Sequence, residues 1–304
     1  MALKSVPNPA ATKLRELLGR PGMILMPGVH DGFSARAAEL IGFDLIYVGG
    51  GVAVGVNLAI PDMGLVTMDQ LVGHAATIAA SVDIPVIVDL DDGGGNPLRI
   101  RRTVQLAERA GIAGFHIEDN DYSQGKHFPA NSDAGDGMKS LDFSRDRPVP
   151  REVAIERVRA ACEARRNPDT LVIARTDACL FSVDEAIERA NLYVEAGADM
   201  IYLAHLTPED TSRAVREVSV PLMGASHYRA EGATPEELEM MRGLKLHFYP
   251  AATAFTAYDA CWNVLETIRD KGVIPHSFNH AMARVAKVVN HQQWGELAQR
   301  YKMI

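Results

Sequence analysis

Eight times along the chain a short apolar run, rich in β-branched residues, gives way to a stretch with helical spacing. This alternation limits the fold more than any other property of the sequence. The runs fall at residues 23–27, 45–48, 86–89, 114–118, 171–175, 200–204, 220–224 and 246–249. Each is apolar almost throughout, as strands buried on both faces of a parallel sheet must be. Helical spacing follows at residues 34–41, 68–80, 98–105 with 107–110, 151–165, 183–196, 208–218 and 235–242, after a first helix at 12–18. Thr67, Ser182 and Thr234 stand where N-caps belong, and Gly111 and Gly197 mark helix ends. The pattern predicts an α/β fold, a (β/α)8 TIM barrel, with a doubly wound sheet as the alternative. With no break in composition, residues 1–304 read as one domain, the barrel over about 20–272 and a C-terminal helical extension over about 276–304.

Two segments exceed a plain barrel. Residues 120–150 form a long polar stretch after the fourth strand, where the loops of such a barrel face the active site, and loops of that length in compact domains are commonly functional. Beyond the eighth unit, residues 278–303 repeat apolar positions at helical spacing (Met282, Val285, Val288, Val289, Trp294, Leu297, Tyr301). Either a partner subunit covers that face or it packs back on its own barrel wall; the reading taken is a homo-oligomer.

The net charge of −8, without a basic block, argues against nucleic acid or an anionic membrane as partner. No apolar run reaches membrane-spanning length, and the first 18 residues lack the apolar core of a signal peptide. Cys162, Cys179 and Cys261 match no metal spacing and are odd in number, which points to a reducing, cytoplasmic setting with each cysteine acting as a small core hydrophobe.

In a barrel of this kind reacting groups come from the C-terminal ends of different strands. Those positions hold Tyr47 and Gly49-Gly50-Gly51, with Asp62 just beyond; then Asp89, Asp91 and Asp92; then His116, Glu118 and Asp119; then Arg175. Several carboxylates crowded together repel unless a cation or donors offset them, and an all-oxygen set suits a hard ion, Mg2+ with Mn2+ as the alternative. Such an ion suits a small anionic 2-oxo or 2-hydroxy acid, which Arg175 would grip by its planar fork while Asp89, His116 and the N–H groups of Gly49, Gly50 and Gly51 contact it. Two plainer readings stay open: Arg175 as the salt-bridge partner of Glu118, and His116 as a satisfied core histidine.

Taken in order, Pro27-Gly28-Val29-His30-Asp31, Tyr47-Val48-Gly49-Gly50-Gly51, Pro61-Asp62, Asp89-Leu90-Asp91-Asp92-Gly93-Gly94-Gly95-Asn96, His116-Ile117-Glu118-Asp119 and Ala174-Arg175-Thr176-Asp177 resemble the isocitrate lyase and phosphoenolpyruvate mutase superfamily. The resemblance implies a barrel whose last helix is exchanged between subunits, dimers paired into a homotetramer, and Mg2+ at the mouth. It carries Asp62, Asp89, Asp91 and Glu118 over as metal-site acids, and Tyr47, Gly49, Gly50, Gly51 and Arg175 as substrate contacts.

The chain also departs from that pattern. Superfamily lyases acting on isocitrate and methylisocitrate carry Lys-x-Cys-Gly-His in the loop after the fourth strand. Here the loop reads Tyr122-Ser123-Gln124-Gly125-Lys126-His127-Phe128, with no thiol to serve as acid. Asp92 stands where Thr is usual and Gly94 where an aromatic is usual. The expected activity is a Mg2+-dependent carbon–carbon lyase passing through an enolate, with Tyr47 taking a hydroxyl proton and Lys126 or His127 returning one to carbon. Oxaloacetate decarboxylation, phosphonate P–C chemistry and a non-catalytic carboxylate-binding barrel are the alternatives.

Overall fold

The computed structural model describes residues 7–122, 148–225, 241–274 and 279–303. Eight strands are present: β1 (Ile24–Pro27), β2 (Ile46–Val48), β3 (Val86–Asp89), β4 (Gly114–Glu118), β5 (Leu171–Thr176), β6 (Met200–Leu203), β7 (Leu222–Ala225) and β8 (Leu246–Tyr249). They pair in parallel in the order β1-β8-β7-β6-β5-β4-β3-β2. The remaining seam, between β1 and β2, is drawn together by a bridge from Gly28 to Tyr47 and by a 2.9 Å hydrogen bond from Val29 N to Tyr47 O. The result is a nearly closed barrel, and the doubly wound alternative falls away.

Local chemistry sets the helices that wrap it: α1 (Pro9–Leu18), α2 (Gly32–Ile41), α3 (Met68–Ala79), α4 (Pro97–Arg109), α5 (Arg151–Ala164), α6 (Val183–Glu195) and α7 (Pro208–Glu217). Thr67 and Gln70 form a reciprocal capping box on α3, and Ser182 accepts from Glu185 N on α6, as their placement predicts. Asn96 caps α4, whose first residue is Pro97, a position where a missing N–H costs nothing. Thr234 and most of the expected 235–242 helix lie outside the described residues.

Two readings of the C-terminal region need correction. A 20-residue helix, α8 (Ala252–Lys271), follows β8, and the spacing had marked no helix there. The expected single stretch at 278–303 is two helices, α9 (Asn279–Val288) and α10 (His291–Arg300), because Asn290 adopts a left-handed φ of 52° that ends one and starts the other. α9 touches α2. Even so, Trp262 and Leu265 on α8, Met282 and Val285 on α9 and Trp294 on α10 are all exposed. Cys261 is exposed too, contrary to its expected core role, whereas Cys162 and Cys179 are largely buried, and burial pushes their thiols up to about 11 and about 12. Among the described residues no helix is long and apolar enough to cross a membrane.

Strand parity divides the core. Met26, Tyr47, Ile87, Ile173, Tyr202 and Phe248 fill the barrel interior, with Leu14 of α1 closing the end opposite the site. Alternate residues such as Val86, Val88 and Val172 face the surrounding helices. Gly28 sits at the seam where a Cβ would come within 2.2 Å of Pro250 O and 2.5 Å of Tyr249 O, whereas a Cβ at Gly73, exposed in the middle of α3, would meet nothing within 4 Å.

The same chemical change should therefore have opposite signs at these two glycines. In denaturant unfolding, Gly28→Ala loses at least about 1–3 kcal/mol by overpacking, while Gly73→Ala gains about 0.5–1 kcal/mol by restricting the unfolded chain within a helical position. A second expectation concerns His247, which alternates with the inward-facing Leu246 and Phe248 and whose imidazole burial pulls down to about 4. The unfolded chain takes up that proton near the ordinary value of about 6.5, so stability is full above it and falls as pH drops toward about 4. His247→Gln should flatten that part of the acid limb in a series of melts across the same range.

Candidate active site

The C-terminal ends of β4 and β5 carry a close group of charges. Parallel register sets Glu118 beside Arg175. Arg175 Nη1 lies 2.7 Å from Glu118 Oε2, while Nε and Nη2 donate to the two carboxylate oxygens of Asp177, each at 2.9 Å. That fork-to-fork pairing is the strong, directional kind. The arginine side chain remains 15 % exposed, whereas Glu118 is 0 % exposed, so of this pair the arginine is the more accessible. Its carbon also lies 5.4 Å from the centre of the Tyr202 ring. Burial works against charge on both partners, and their mutual attraction overcomes it: Asp177 is held well below the carboxylate range and Arg175 is raised above its own.

A second chain of polar groups crosses three strands. Tyr47 on β2 has its hydroxyl 2.9 Å from His116 Nε2 on β4, and His116 Nδ1 lies 3.5 Å from Asp89 Oδ1 on β3. His116 is fully buried, as a core histidine would be, yet it stands between a phenol and a carboxylate. The Tyr47 ring packs on Phe248 with centroids 4.3 Å apart and planes tilted by 41°, which holds it in place. Burial first and the Asp89 charge second raise the Tyr47 phenol well above its ordinary value, so it keeps its own proton.

The remaining acids are brought close by glycine. Residues Gly50–Gly55 form one wide helical turn after β2. A Cβ at Gly51 would come within 2.3 Å of Asp62 Cγ, and one at Gly50 within 3.0 Å of Asp91 Oδ1. Only a residue without a side chain lets both carboxylates approach this turn. Asp91 holds a left-handed φ of 46°, its N–H donating to Asp89 Oδ1 at 3.0 Å and its carbonyl accepting from Glu118 N at 2.9 Å. The Tyr122 hydroxyl donates to Glu118; burial first, and then the charges of Glu118, Asp91 and Asp62, push its phenol well up. Asp92 turns the other way and accepts from Gly94 N at 2.8 Å.

Among the described residues no three His, Cys, Asp or Glu side chains are spaced to hold an ion by themselves. The glycine cradle and the all-oxygen donor set nevertheless fit a hard divalent ion held by one or two carboxylates and by water, drawn from Asp62, Asp89, Asp91 and Glu118.

The structure thus brings Tyr47, His116 and Asp89 into one chain, Arg175 and Glu118 into another, and Asp62 and Asp91 against Gly50 and Gly51. Gly49 is extended backbone leading into the wide turn. Lys126 and His127 lie outside the described residues. Sequence reasoning gave no role to Asp177, Asn120, Tyr122 or Tyr202. Asp177 was within reach, since it stands two residues after Arg175 and so on the same side of an extended chain. The other three depend on contacts made only in the folded molecule.

Comparison with known proteins bears on this arrangement. The family model described as phosphoenolpyruvate phosphomutase matches residues 14–269. A 2,3-dimethylmalate lyase of Eubacterium barkeri is 33% identical over 264 residues, covering 84% of this chain and 86% of that protein. An oxaloacetate decarboxylase of Pseudomonas fluorescens is 38% identical over 210 residues, covering 69% of this chain and 68% of that protein. The solved structure of a phosphonopyruvate hydrolase complexed with oxalate and Mg2+ superposes with a TM-score of 0.76 at 26% identity, covering 96% of this chain and 99% of the other. With a barrel of the right topology and the family match running almost its full length, the chain belongs to the phosphoenolpyruvate mutase and isocitrate lyase superfamily.

Proposed function

We propose that this enzyme is a Mg2+-dependent carbon–carbon lyase that acts on a small 2-hydroxy or 2-oxo (di)carboxylic acid through an enolate. The observation that carries this reading is the meeting, at one end of the barrel, of an anion-gripping arginine and a phenol–imidazole–carboxylate chain. Arg175, the most accessible member of its ion-pair group, binds a substrate carboxylate. Tyr47, which carries its own proton, does not accept a second one unaided. It takes the substrate hydroxyl proton while passing its own to His116 Nε2, and Asp89 beside Nδ1 stabilises the imidazolium that results. The oxygen's electron pair then forms the carbonyl, and the carbon–carbon bond breaks with its pair going to the other fragment, which becomes the enolate. Mg2+, when bound among Asp62, Asp89, Asp91 and Glu118, supplies positive charge next to the oxygen that becomes negative. Relatives that cleave or decarboxylate such acids, and one that binds oxalate with Mg2+, support the substrate class. A homo-oligomer is supported by the apolar residues left uncovered on α8, α9 and α10.

Oxaloacetate decarboxylation is the second reading, favoured by the 38% identity to a decarboxylase. Loss of CO2 from a 2-oxo acid removes no hydroxyl proton, so it needs the arginine and the cation but no base. The two readings therefore separate on one substitution. With a panel of 2-hydroxy and 2-oxo dicarboxylates assayed for pyruvate, glyoxylate, oxalate and CO2, Tyr47→Phe should lower kcat for cleavage of a 2-hydroxy acid by about 10²–10⁴-fold. A CO2-only activity on oxaloacetate that survives Tyr47→Phe would assign the site to decarboxylation instead. In both cases EDTA should abolish turnover and added Mg2+ restore it; full activity in excess chelator would overturn the assignment of the carboxylates.

A further inference from the structure

We propose that Asn120 is a positioning residue for the anion grip: its carboxamide ties together the two carboxylates that hold Arg175 and so fixes the edge the guanidinium presents. The inference rests on the reading of Arg175 as the group that binds substrate carboxylate. Asn120 is the second residue after β4, and only 4% of it is exposed. Its Nδ2 donates to Asp177 Oδ2 at 2.9 Å and to Glu118 Oε1 at 3.3 Å. Since Glu118 and Asp177 are also the ionic partners of Arg175, the four side chains close a ring in which each carboxylate faces both the cation and the amide.

The charge balance explains why an amide suits this place. Two buried carboxylates share one guanidinium, which leaves a negative surplus that repels across the ring. A carboxamide supplies two N–H donors without adding charge of either sign. A carboxylate at this position would put a third negative group against the other two, and an apolar side chain would leave two charged acceptors short of a donor where water has little access.

The backbone of Asn120 is held as firmly as its side chain. Its carbonyl accepts from Arg157 Nη1 at 2.8 Å, and Arg157 on α5 is itself only 5% exposed. Asn120 also bridges to Pro148. The ring is thereby referenced to α5 as well as to β4 and β5, which keeps Glu118 and Asp177 from shifting apart when an anion pulls on Arg175.

The experiment is calorimetry on the full chain, first with Mg2+ alone and then with oxalate at saturating Mg2+, for wild type, Asn120→Asp and Asn120→Leu, with thermal melts alongside. Both variants should bind oxalate about ten-fold or more weakly, the size of one lost hydrogen bond to a charged group. Binding of Mg2+ alone, for which Glu118 is one of four candidate acids, should change less than oxalate binding in Asn120→Leu, and be unchanged or tighter in Asn120→Asp, which adds a negative charge. A residue that merely supports the fold would weaken both ligands together with the melting temperature, and that result overturns the proposal. Oxalate affinity equal to wild type in both variants overturns it as well. Wild-type protein that binds no oxalate would instead remove the anion grip itself, and this role with it. Should Asn120→Leu fail to fold, Asn120→Asp, which matches Asn in shape, decides the question alone.

Discussion

The mouth of the barrel is built around one partly buried guanidinium. Asp62, Asp89, Asp91, Asp92, Glu118 and Asp177 all lie at this end, and Arg175 is the cation that the structure sets directly against two of them. Taking carboxylates out of water is costly unless a partner of opposite charge and further donors accompany them, and removing one partner of such a pair costs about 3–5 kcal/mol. Glu118 meets that condition through Arg175, Asn120 and Tyr122, three groups from three different places in the chain. The plainer reading of Arg175 as the salt-bridge partner of Glu118 is therefore correct as far as it goes. The arginine is also more exposed than either carboxylate, so the pairing that stabilises it leaves it the most accessible of the three.

Much of this was legible because of what parallel strands require. A strand covered on both faces has to be apolar throughout, so the polar residue at which each run stops marks the barrel end. That is how Asp89, Glu118 and Arg175 announce themselves. Pairing across strands was not legible, since Tyr47 and His116 are far apart in the chain and meet only because Ile87, opposite Tyr47 in the register, lies two residues before Asp89, which is opposite His116. Nor was the place of Asn120: Glu118 is two residues away, but Asp177 comes beside it only when β4 and β5 are paired. The helix at Ala252–Lys271 escaped notice for a different reason: few of its residues are buried, so its apolar positions do not form the stripe that helical spacing seeks.

Glycine does for the acids what arginine does for their charge. Gly50 and Gly51 leave room that Asp91 and Asp62 occupy, and the φ of 72° at Gly64 places backbone where a Cβ would meet Tyr122 Cδ1 at 2.7 Å. Gly50 and Gly64 let a side chain of another βα connection lie directly on their backbone, and Gly51 does the same for Asp62 of its own connection. Side chains from β2, β3, β4 and the turns beyond them can then share a space too small for ordinary residues.

The departures from the superfamily pattern begin where this shared framework ends. Tyr47, Asp89, His116, Glu118 and Arg175 all stand on paired strands, so their spacing is set by register and cannot change without moving the barrel. After Asn120 the chain leaves β4, and there the usual thiol-bearing motif gives way to Tyr122-Ser123-Gln124-Gly125-Lys126-His127-Phe128. Asn120 and Tyr122 both donate to Glu118, so the segment's first residues belong electrostatically to the barrel even though its sequence does not follow the lyases that use a cysteine. The sequence can vary beyond that point while the ring of Glu118, Asn120, Arg175 and Asp177 stays the same, because its members stand on β4 and β5 or within two residues of their ends.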